Sequence, residues 1–134
     1  MRKPYDIVVA LDTCIFACQA AKLARALARE DAAANALEKL AARVPMVAMK
    51  QGRLGAAVRR GTVTVHAPAL DGDVVVTVGA GDSFDAGFVW GFLAGLTTEE
   101  CLRAGSVCGR LSTRRPGGTA GQPDAGELRA LLDG

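Results

Sequence analysis

A carboxylate follows a run of small residues in the stretch TVGAGDSFDAGF, residues 77 to 88. Gly79, Ala80 and Gly81 lead into Asp82, and an apolar segment begins directly afterwards. If a helix begins here, its first backbone N–H groups lack partners within the helix and lie at the positive end of the helix dipole, so they can bind a phosphate or a developing oxyanion. Small residues let such an anion approach the backbone closely. Asp82 beside this anion hole could act as a general base, although an acid in a first helical turn can also serve only as a cap.

A second glycine turn, KQGRLGA, runs from Lys50 to Ala56 directly after an apolar stretch. Two glycine turns at strand ends of an α/β sheet favour a ligand cleft at that edge. Neither turn is a P-loop, which needs glycine, four residues and then Gly-Lys-Ser/Thr. Phe84 stands where a dinucleotide-binding fingerprint would have its third glycine. These two nucleotide-binding motifs are therefore excluded.

Composition limits the class of protein. The chain has 134 residues, of which 50% are apolar and 22% charged, with a formal net charge of +2. This predicts one soluble, globular domain, and interleaved charges with few aromatic residues argue against nucleic-acid binding. No signal peptide is visible at the N-terminus, and the longest apolar stretch, residues 86 to 96, is about half of what a bilayer requires, which predicts a cytoplasmic protein without a membrane partner. Gly87, Gly91 and Gly95 in that stretch predict a buried helix packed tightly against a neighbour.

The four cysteines have spacings unlike those of zinc knuckles. Cys14 and Cys18 lie four residues apart, and Cys101 and Cys108 seven apart. Structural zinc sites favour paired C-x2-C motifs. If the first pair lies on one helix face, a metal or redox site remains an alternative, but reduced, partly buried thiols are the favoured interpretation.

The elements that must position these residues alternate between strands and helices. The sequence predicts strands at 5–11, 45–50 and 73–78, a hairpin at 56–67 with Gly61 at its turn, two helices within 15–43, and helices at 83–95, 98–112 and 124–132. Thr97 and Glu100 form a capping-box pattern before the helix at 98–112. Residues 114–123, rich in glycine and proline, predict a loop. This order predicts an α/β layered sheet.

Together these stretches resemble the C-terminal half of ribokinase-type (PfkB) carbohydrate kinases. TVGAGDSFDAGFVWGFLAGL resembles that family's signature around the catalytic aspartate, and VAMKQGRLGAAV resembles its nucleotide-proximal strand and turn. AGSVCGRLSTRRPGGTAGQP is similar to the helix and loop that flank adenine. The resemblance extends from about Tyr5, with the first forty residues matching only in outline. It implies a ribokinase-like layered sheet with helices, truncated to the C-terminal half, in a single partial domain over residues 1–134.

The function that the resemblance implies is ATP-dependent phosphorylation of a sugar hydroxyl, with Mg2+ accompanying the nucleotide. Asp82 corresponds to the general base, and the backbone of Gly79, Ala80 and Gly81 corresponds to the anion hole for the transferring phosphoryl group. The residues that fall near the nucleotide are Lys50, Gly52, Gly55 and, near adenine, Ser106. No residue of the chain corresponds to a metal ligand.

The sequence departs from the family pattern in several places. Family members are about twice as long, and the half that carries most of the sugar pocket has no counterpart here. Val76 and Val78 replace an acid and a threonine that bear on the family's monovalent-cation site, so that site is not carried over. Residues 11–14, LDTC, stand in place of an Asn-x-x-Glu motif that helps to organise magnesium. Asp85 stands where asparagine is frequent and adds negative charge near the phosphates.

Two classes of function therefore remain open from sequence. The first is a carbohydrate kinase that acts on a sugar and ATP. The second is a non-catalytic nucleotide-binding or assembly module derived from a sugar kinase. Because half a sheet would leave an apolar edge, both predict a homo-oligomer or a partner that supplies the missing half. The sequence does not identify the sugar.

Overall fold

A computed structural model describes residues 15–18, 29, 31–70, 80–113 and 121–134. The strands are β1 (Ile15–Cys18), β2 (Met46–Lys50), β3 (Ala56–Arg60) and β4 (Val63–Ala67). The helices are α1 (Ala33–Ala41), α2 (Ala80–Leu93), α3 (Thr98–Ser112) and α4 (Ala125–Asp133), with a single 3-10 turn at Gly52–Leu54.

The four described strands form one mixed sheet in the order β1-β2-β3-β4. β1 runs parallel to β2, whereas β2, β3 and β4 are successively antiparallel. The β2–β3 connection brings Lys50 opposite Ala56. It requires Gly55, whose φ is +90° and where a Cβ atom would overlap the carbonyl oxygen of Ala67. Gly61, with a φ of +61°, makes the tight turn between β3 and β4.

Strand β2 lies at the centre of the core and is buried along its whole length. Successive side chains of a strand point to opposite faces. Met46 and Ala48 join the apolar cluster that also contains residues of β3, α2 and α3. Val47 and Met49, on the other face, are also buried, and α1 packs against β2 and β3. The sheet therefore lies between two helical layers, and the alternation places Lys50 on the face that carries α2 and α3.

Helices α2 and α3 pack at very short range. A Cβ atom on Gly87 would lie 2.6 Å from the carbonyl oxygen of Ala104 and 2.7 Å from Cys108 Sγ. A Cβ atom on Gly91 would lie 3.1 Å from the Cα atom of Cys101. Glycine at these two positions of α2 thus allows α3 to approach the helix backbone.

The C-terminal helix α4 is fixed to this pair by several contacts. Leu128 is buried in a small cluster with residues of α3. The guanidinium of Arg103 on α3 donates hydrogen bonds to the carbonyl oxygens of Leu131 and Leu132. Arg129 lies 5.4 Å from the centre of the Trp90 ring on α2. A cation at the last carbonyl groups of a helix complements its dipole.

Most of the predicted elements that lie within the described residues are confirmed. They are β2, the β3–β4 hairpin, α3 with its Thr97–Glu100 capping box, and α4 with Asp124 as its N-cap. The predicted strands at 5–11 and 73–78 lie outside the described residues. Among the described residues, no helix combines the length and apolar character needed to cross a membrane.

Four predictions were wrong. Residues Ile15–Cys18 form a strand and not part of a helix, because pairing with β2 overrides a local pattern that is ambiguous in so short an apolar run. Cys18 therefore lies on a strand, and the prediction that Cys14 and Cys18 share a helix face was wrong. Cys14 itself lies outside the described residues. Helix α2 begins at Ala80, three residues before the predicted start. Gly95 does not pack against a neighbour: its φ is +77°, a Cβ there would meet nothing within 4 Å, and it follows the end of α2.

Candidate active site

The candidate site lies at the N-terminal end of α2. Because the helix begins at Ala80, Asp82 lies in its first turn, and its side chain is exposed. The next two residues, Ser83 and Phe84, point into the protein and are buried. Gly81 is half-buried, and Gly79 lies outside the described residues. The first turn thus exposes the carboxylate of Asp82, while the buried side chains of Ser83 and Phe84 anchor the turn to the protein.

Lys50 connects the end of β2 to this first turn. Its Nζ donates hydrogen bonds to the carbonyl oxygen of Gly81 at 3.0 Å and to Oδ1 of Asp85 at 2.8 Å. The lysine side chain is 10% exposed and that of Asp85 is 26% exposed, so the ion pair is largely shielded from water. The ammonium also lies 5.7 Å from the centre of the Phe84 ring. The predicted nucleotide-side residue Lys50 and the predicted anion-hole residue Gly81 are therefore in direct contact.

Burial and two neighbouring charges determine the pKa of the Asp85 carboxyl. Burial raises the pKa of the Asp85 carboxyl above its ordinary value, the hydrogen bond and the charge of Lys50 lower it, and the charge of Asp82 raises it. Desolvation disfavours the charged form of an acid, whereas a nearby cation favours it. The extra negative charge predicted at position 85 is therefore compensated within the protein by Lys50.

Phe84 forms an apolar floor beneath the turn. Its ring stacks on that of Phe88 with centroids 6.2 Å apart. A Cβ atom on Gly105 of α3 would lie 3.0 Å from both the ring and the carbonyl oxygen of Phe84. Close packing on this side leaves the turn little freedom to rotate inward.

A second polar contact fixes the turn from the C-terminal side. Gln122, which precedes α4, donates a hydrogen bond from Nε2 to Ser83 Oγ at 2.7 Å. Ser83 is 1% exposed, so this hydrogen bond satisfies a buried hydroxyl. The residue adjacent to Asp82 is thus tied to a segment 39 positions away.

The remaining predicted residues lie on two other elements. Gly52 is exposed in the 3-10 turn with a φ of +56°, and a Cβ there would meet nothing within 4 Å. Gly55 closes the same turn against the backbone of β4, so the hairpin itself requires a glycine there. Ser106 lies half-buried on α3, next to the Gly105 that contacts Phe84.

Two contacts were missed from the sequence. The Lys50–Asp85 pair joins residues 35 positions apart, and the Gln122–Ser83 bond joins residues 39 apart. One signal pointed to the first pair: a lysine ends the otherwise apolar strand MVAMK, and a buried ammonium requires an acidic partner. No comparable signal marks Gln122.

Comparison with known proteins gives the chain its family. Residues 16–125 match the model of the pfkB family carbohydrate kinases. The chain belongs to this family. It is 36% identical over 80 residues to an uncharacterized sugar kinase of Archaeoglobus fulgidus, a match that covers 60% of this chain and 32% of that protein. It is 38% identical over 87 residues to an ATP-dependent ribose-1-phosphate kinase of Halopiger xanaduensis, a match that covers 65% of this chain and 29% of that protein.

The fold of this pfkB family member agrees with a solved structure. Ribokinase of Arabidopsis thaliana, complexed with ribose and ATP, superimposes with a TM-score of 0.79 at 24% identity. That match covers 98% of this chain and 44% of the ribokinase chain. The predicted ribokinase-like fold is therefore confirmed. The chain spans about a third of the length of the two curated relatives and less than half of the ribokinase.

Proposed function

We propose that the chain carries the catalytic half of an ATP-dependent carbohydrate kinase, with Asp82 as its general base. The observation that supports this most strongly is the exposed carboxylate of Asp82 in the first turn of α2, on a turn that Lys50 and Gln122 hold in place. The family is that of carbohydrate kinases. An outward-facing base on a fixed backbone suits a reaction that depends on positioning.

In the proposed step, the Asp82 carboxylate accepts the proton of a sugar hydroxyl while the hydroxyl oxygen forms a bond to the γ-phosphorus of ATP. The bond from that phosphorus to the β,γ-bridging oxygen breaks, and its electron pair leaves with ADP. We assign the stabilisation of charge on the transferring group to backbone N–H groups of Gly79, Ala80 and Gly81, of which the last two belong to the first turn of α2. The helix dipole is oriented to favour that charge.

The nucleotide side of the site is proposed to comprise Gly52 and Gly55, on the turn that follows Lys50, together with Ser106. In phosphoryl transfer, magnesium neutralises charge that develops on the phosphate oxygens. The described residues contain no group of three or more His, Cys, Asp or Glu side chains that could hold a metal ion. We therefore propose that Mg2+ arrives on the nucleotide phosphates, a common mode for this ion, and no step above depends on a metal site built by this chain. Such a kinase would work in the cytoplasm, where ATP is available and where free thiols such as Cys101 and Cys108 persist.

The test is sugar-dependent release of ADP over a panel of pentoses, hexoses and sugar phosphates. Asp82→Asn removes the base but keeps the shape, so we expect turnover to fall about 100-fold or more. Asp133→Asn, at the exposed end of α4, is the matched control and should turn over at the wild-type rate. Equal turnover by the Asp82→Asn variant would refute the assignment of the base.

A non-catalytic nucleotide-binding or assembly module is the second candidate, and one observation favours it. Apolar side chains of α2 lie on the surface. Val89 and Phe92 are partly exposed, and Leu93 is 78% exposed. This strip would suit a second copy of the chain or a partner that supplies the remaining part of the kinase.

Sedimentation velocity and calorimetry separate the two candidates. An assembly module should self-associate or bind a partner, and Leu93→Glu should abolish that association. Val63→Glu is the matched control, since Val63 is also exposed but lies on β4. Binding of MgATP without sugar-dependent turnover would indicate a nucleotide-binding module, and turnover lost in Asp82→Asn would indicate the kinase.

A further inference from the structure

Lys50 makes contacts that a ligand of phosphate would not be expected to make. An ammonium group has three N–H donors and no acceptor. Two of its donors are directed at Gly81 and Asp85, and the ammonium lies 5.7 Å from the centre of the Phe84 ring. All three partners belong to the first two turns of α2. The lysine is therefore committed to the helix that carries Asp82.

The charges around the first turn of α2 also indicate that Lys50 interacts with this helix and not with a phosphate. A cation near a helix N-terminus lies at the unfavourable end of the dipole. Asp85 compensates that cation, so the pair is close to neutral and the backbone N–H groups remain as the source of positive potential at the turn. If the ammonium turned toward a phosphate, it would leave the half-buried Asp85 charge unpaired, near the charge of Asp82. Separation of a shielded ion pair is costly.

We propose that Lys50 is a positioning residue: its ammonium, bound to Gly81 O and Asp85 Oδ1, fixes the first turn of α2 and the outward direction of Asp82, and it does not bind the nucleotide. This inference rests on the proposed function for its catalytic consequence. The positioning of the turn itself does not depend on turnover, and it can be measured without substrate.

The test uses Lys50→Met, Asp85→Asn and the double variant, with Lys39→Met on the exposed face of α1 as the matched control. The first readout is hydrogen exchange of the backbone amides of residues 84–87, the first that can donate to carbonyl groups of the opening turn of α2. Positioning predicts exchange about 10-fold faster in each single variant. In the double variant no buried charge lacks a partner, but the ties to Gly81 O and to position 85 are still absent, so exchange should stay at least about 3-fold faster than in wild type, and a full return to the wild-type rate would overturn the proposal. The control should exchange at the wild-type rate.

The second readout is the affinity for MgATP by calorimetry, combined with kcat and KM. Positioning predicts an unchanged Kd and KM for ATP, within about 2-fold, together with a kcat that is at least 10-fold lower in Lys50→Met. A phosphate-binding lysine predicts the opposite: the Kd for ATP rises about 10-fold or more, and Asp85→Asn, which frees the ammonium, binds ATP more tightly.

Each outcome of these measurements either supports or overturns the positioning role of Lys50. Unchanged exchange in both single variants, or a lost ATP affinity in Lys50→Met with normal exchange, overturns the proposal. If Lys50→Met does not fold, Asp85→Asn gives the same discrimination from the other side of the pair. If the wild-type chain turns over no sugar, the kinase assignment fails while the exchange measurements still test the positioning.

Discussion

The N-terminal end and the middle of α2 are held in place by different kinds of contact. At the N-terminal end, polar contacts reach across the sequence to Gly81, Ser83 and Asp85. In the middle of the helix, Gly87 lets the α3 backbone approach so closely that a methyl group would not fit, and at Gly91 a methyl group would be tight against Cys101. The middle of the helix is therefore held by packing, whereas the end where chemistry is proposed is held by a few polar contacts that single substitutions can remove.

The largest effect should come from the middle of the helix. Gly87→Val places a side chain against the Ala104 carbonyl and Cys108 Sγ, so α2 and α3 must move apart. We expect the free energy of unfolding to fall by about 3 kcal/mol, as measured by urea denaturation. Gly95→Ala is the control from the same glycine series: with open space and a φ of +77°, it should cost only about 1 kcal/mol, from backbone strain. Equal costs at the two positions would show that the interface is looser than the structure indicates.

The cysteines beside these glycines should be unreactive. Burial raises the pKa of Cys108 to about 11, and burial together with the charge of Glu100 raises that of Cys101. Because only the thiolate reacts, and at pH 8 a thiol with a pKa near 11 is only about 0.1% ionised, alkylation should be about 100-fold slower in the folded chain than in urea. Mass spectrometry of the peptides that contain these two cysteines follows each thiol separately. Rapid alkylation of native Cys108 would contradict the close packing around it.

At the charged end, the effect should depend on pH. Lys50→Met removes the cation that lowers the pKa of Asp85, so the already raised pKa rises further in the folded variant. The folded variant then holds the Asp85 proton more tightly than the unfolded chain does, and its stability falls as the pH rises from the ordinary aspartate value through the raised one. We expect a loss of about 2 kcal/mol relative to wild type at neutral pH, which becomes smaller in acid.

Urea denaturation at a series of pH values measures this loss, and Lys50→Met/Asp85→Asn is its control. Without a carboxyl at position 85, the difference from wild type should lose most of the pH dependence that the single variant shows. A loss in Lys50→Met that is the same at every pH would mean that the lysine contributes packing rather than charge.

The same contrast explains what the sequence could predict. The Thr97–Glu100 box, the Gly61 hairpin and the close packing at Gly87 and Gly91 follow from local patterns, and the structure confirms them. The predicted helix is present as α2 but starts at Ala80, earlier than predicted, and the strand predicted before it lies outside the described residues. Local patterns therefore predicted most of the scaffold.

The contacts that hold the candidate site were not predictable in this way. The four apolar residues Ile15–Cys18 form a strand because they pair with β2. The proposed role of Lys50 depends on its ion pair with Asp85, 35 positions later. No periodicity encodes such pairings, since they depend on which elements meet in space. The family resemblance supplied Asp82 as a candidate base but did not include the ion pair beneath it.

The smallest effect should distinguish two buried serines, each 1% exposed. Ser83 accepts a hydrogen bond from Gln122, across the fold, whereas Ser112 donates to the carbonyl oxygen of Gly109 in its own helix. Ser83→Ala should cost about 1 kcal/mol, because an amide that is exposed at Gln122 can partly replace the lost partner with water. Ser112→Ala should be close to neutral, since alanine favours the helix and the bond it removes is local. Denaturant unfolding of the two variants measures the difference, and hydrogen exchange near Asp82 should quicken only in Ser83→Ala. If both variants behave alike, the polar tie to Gln122 does not contribute to holding the charged end of α2, and Lys50 alone must account for it.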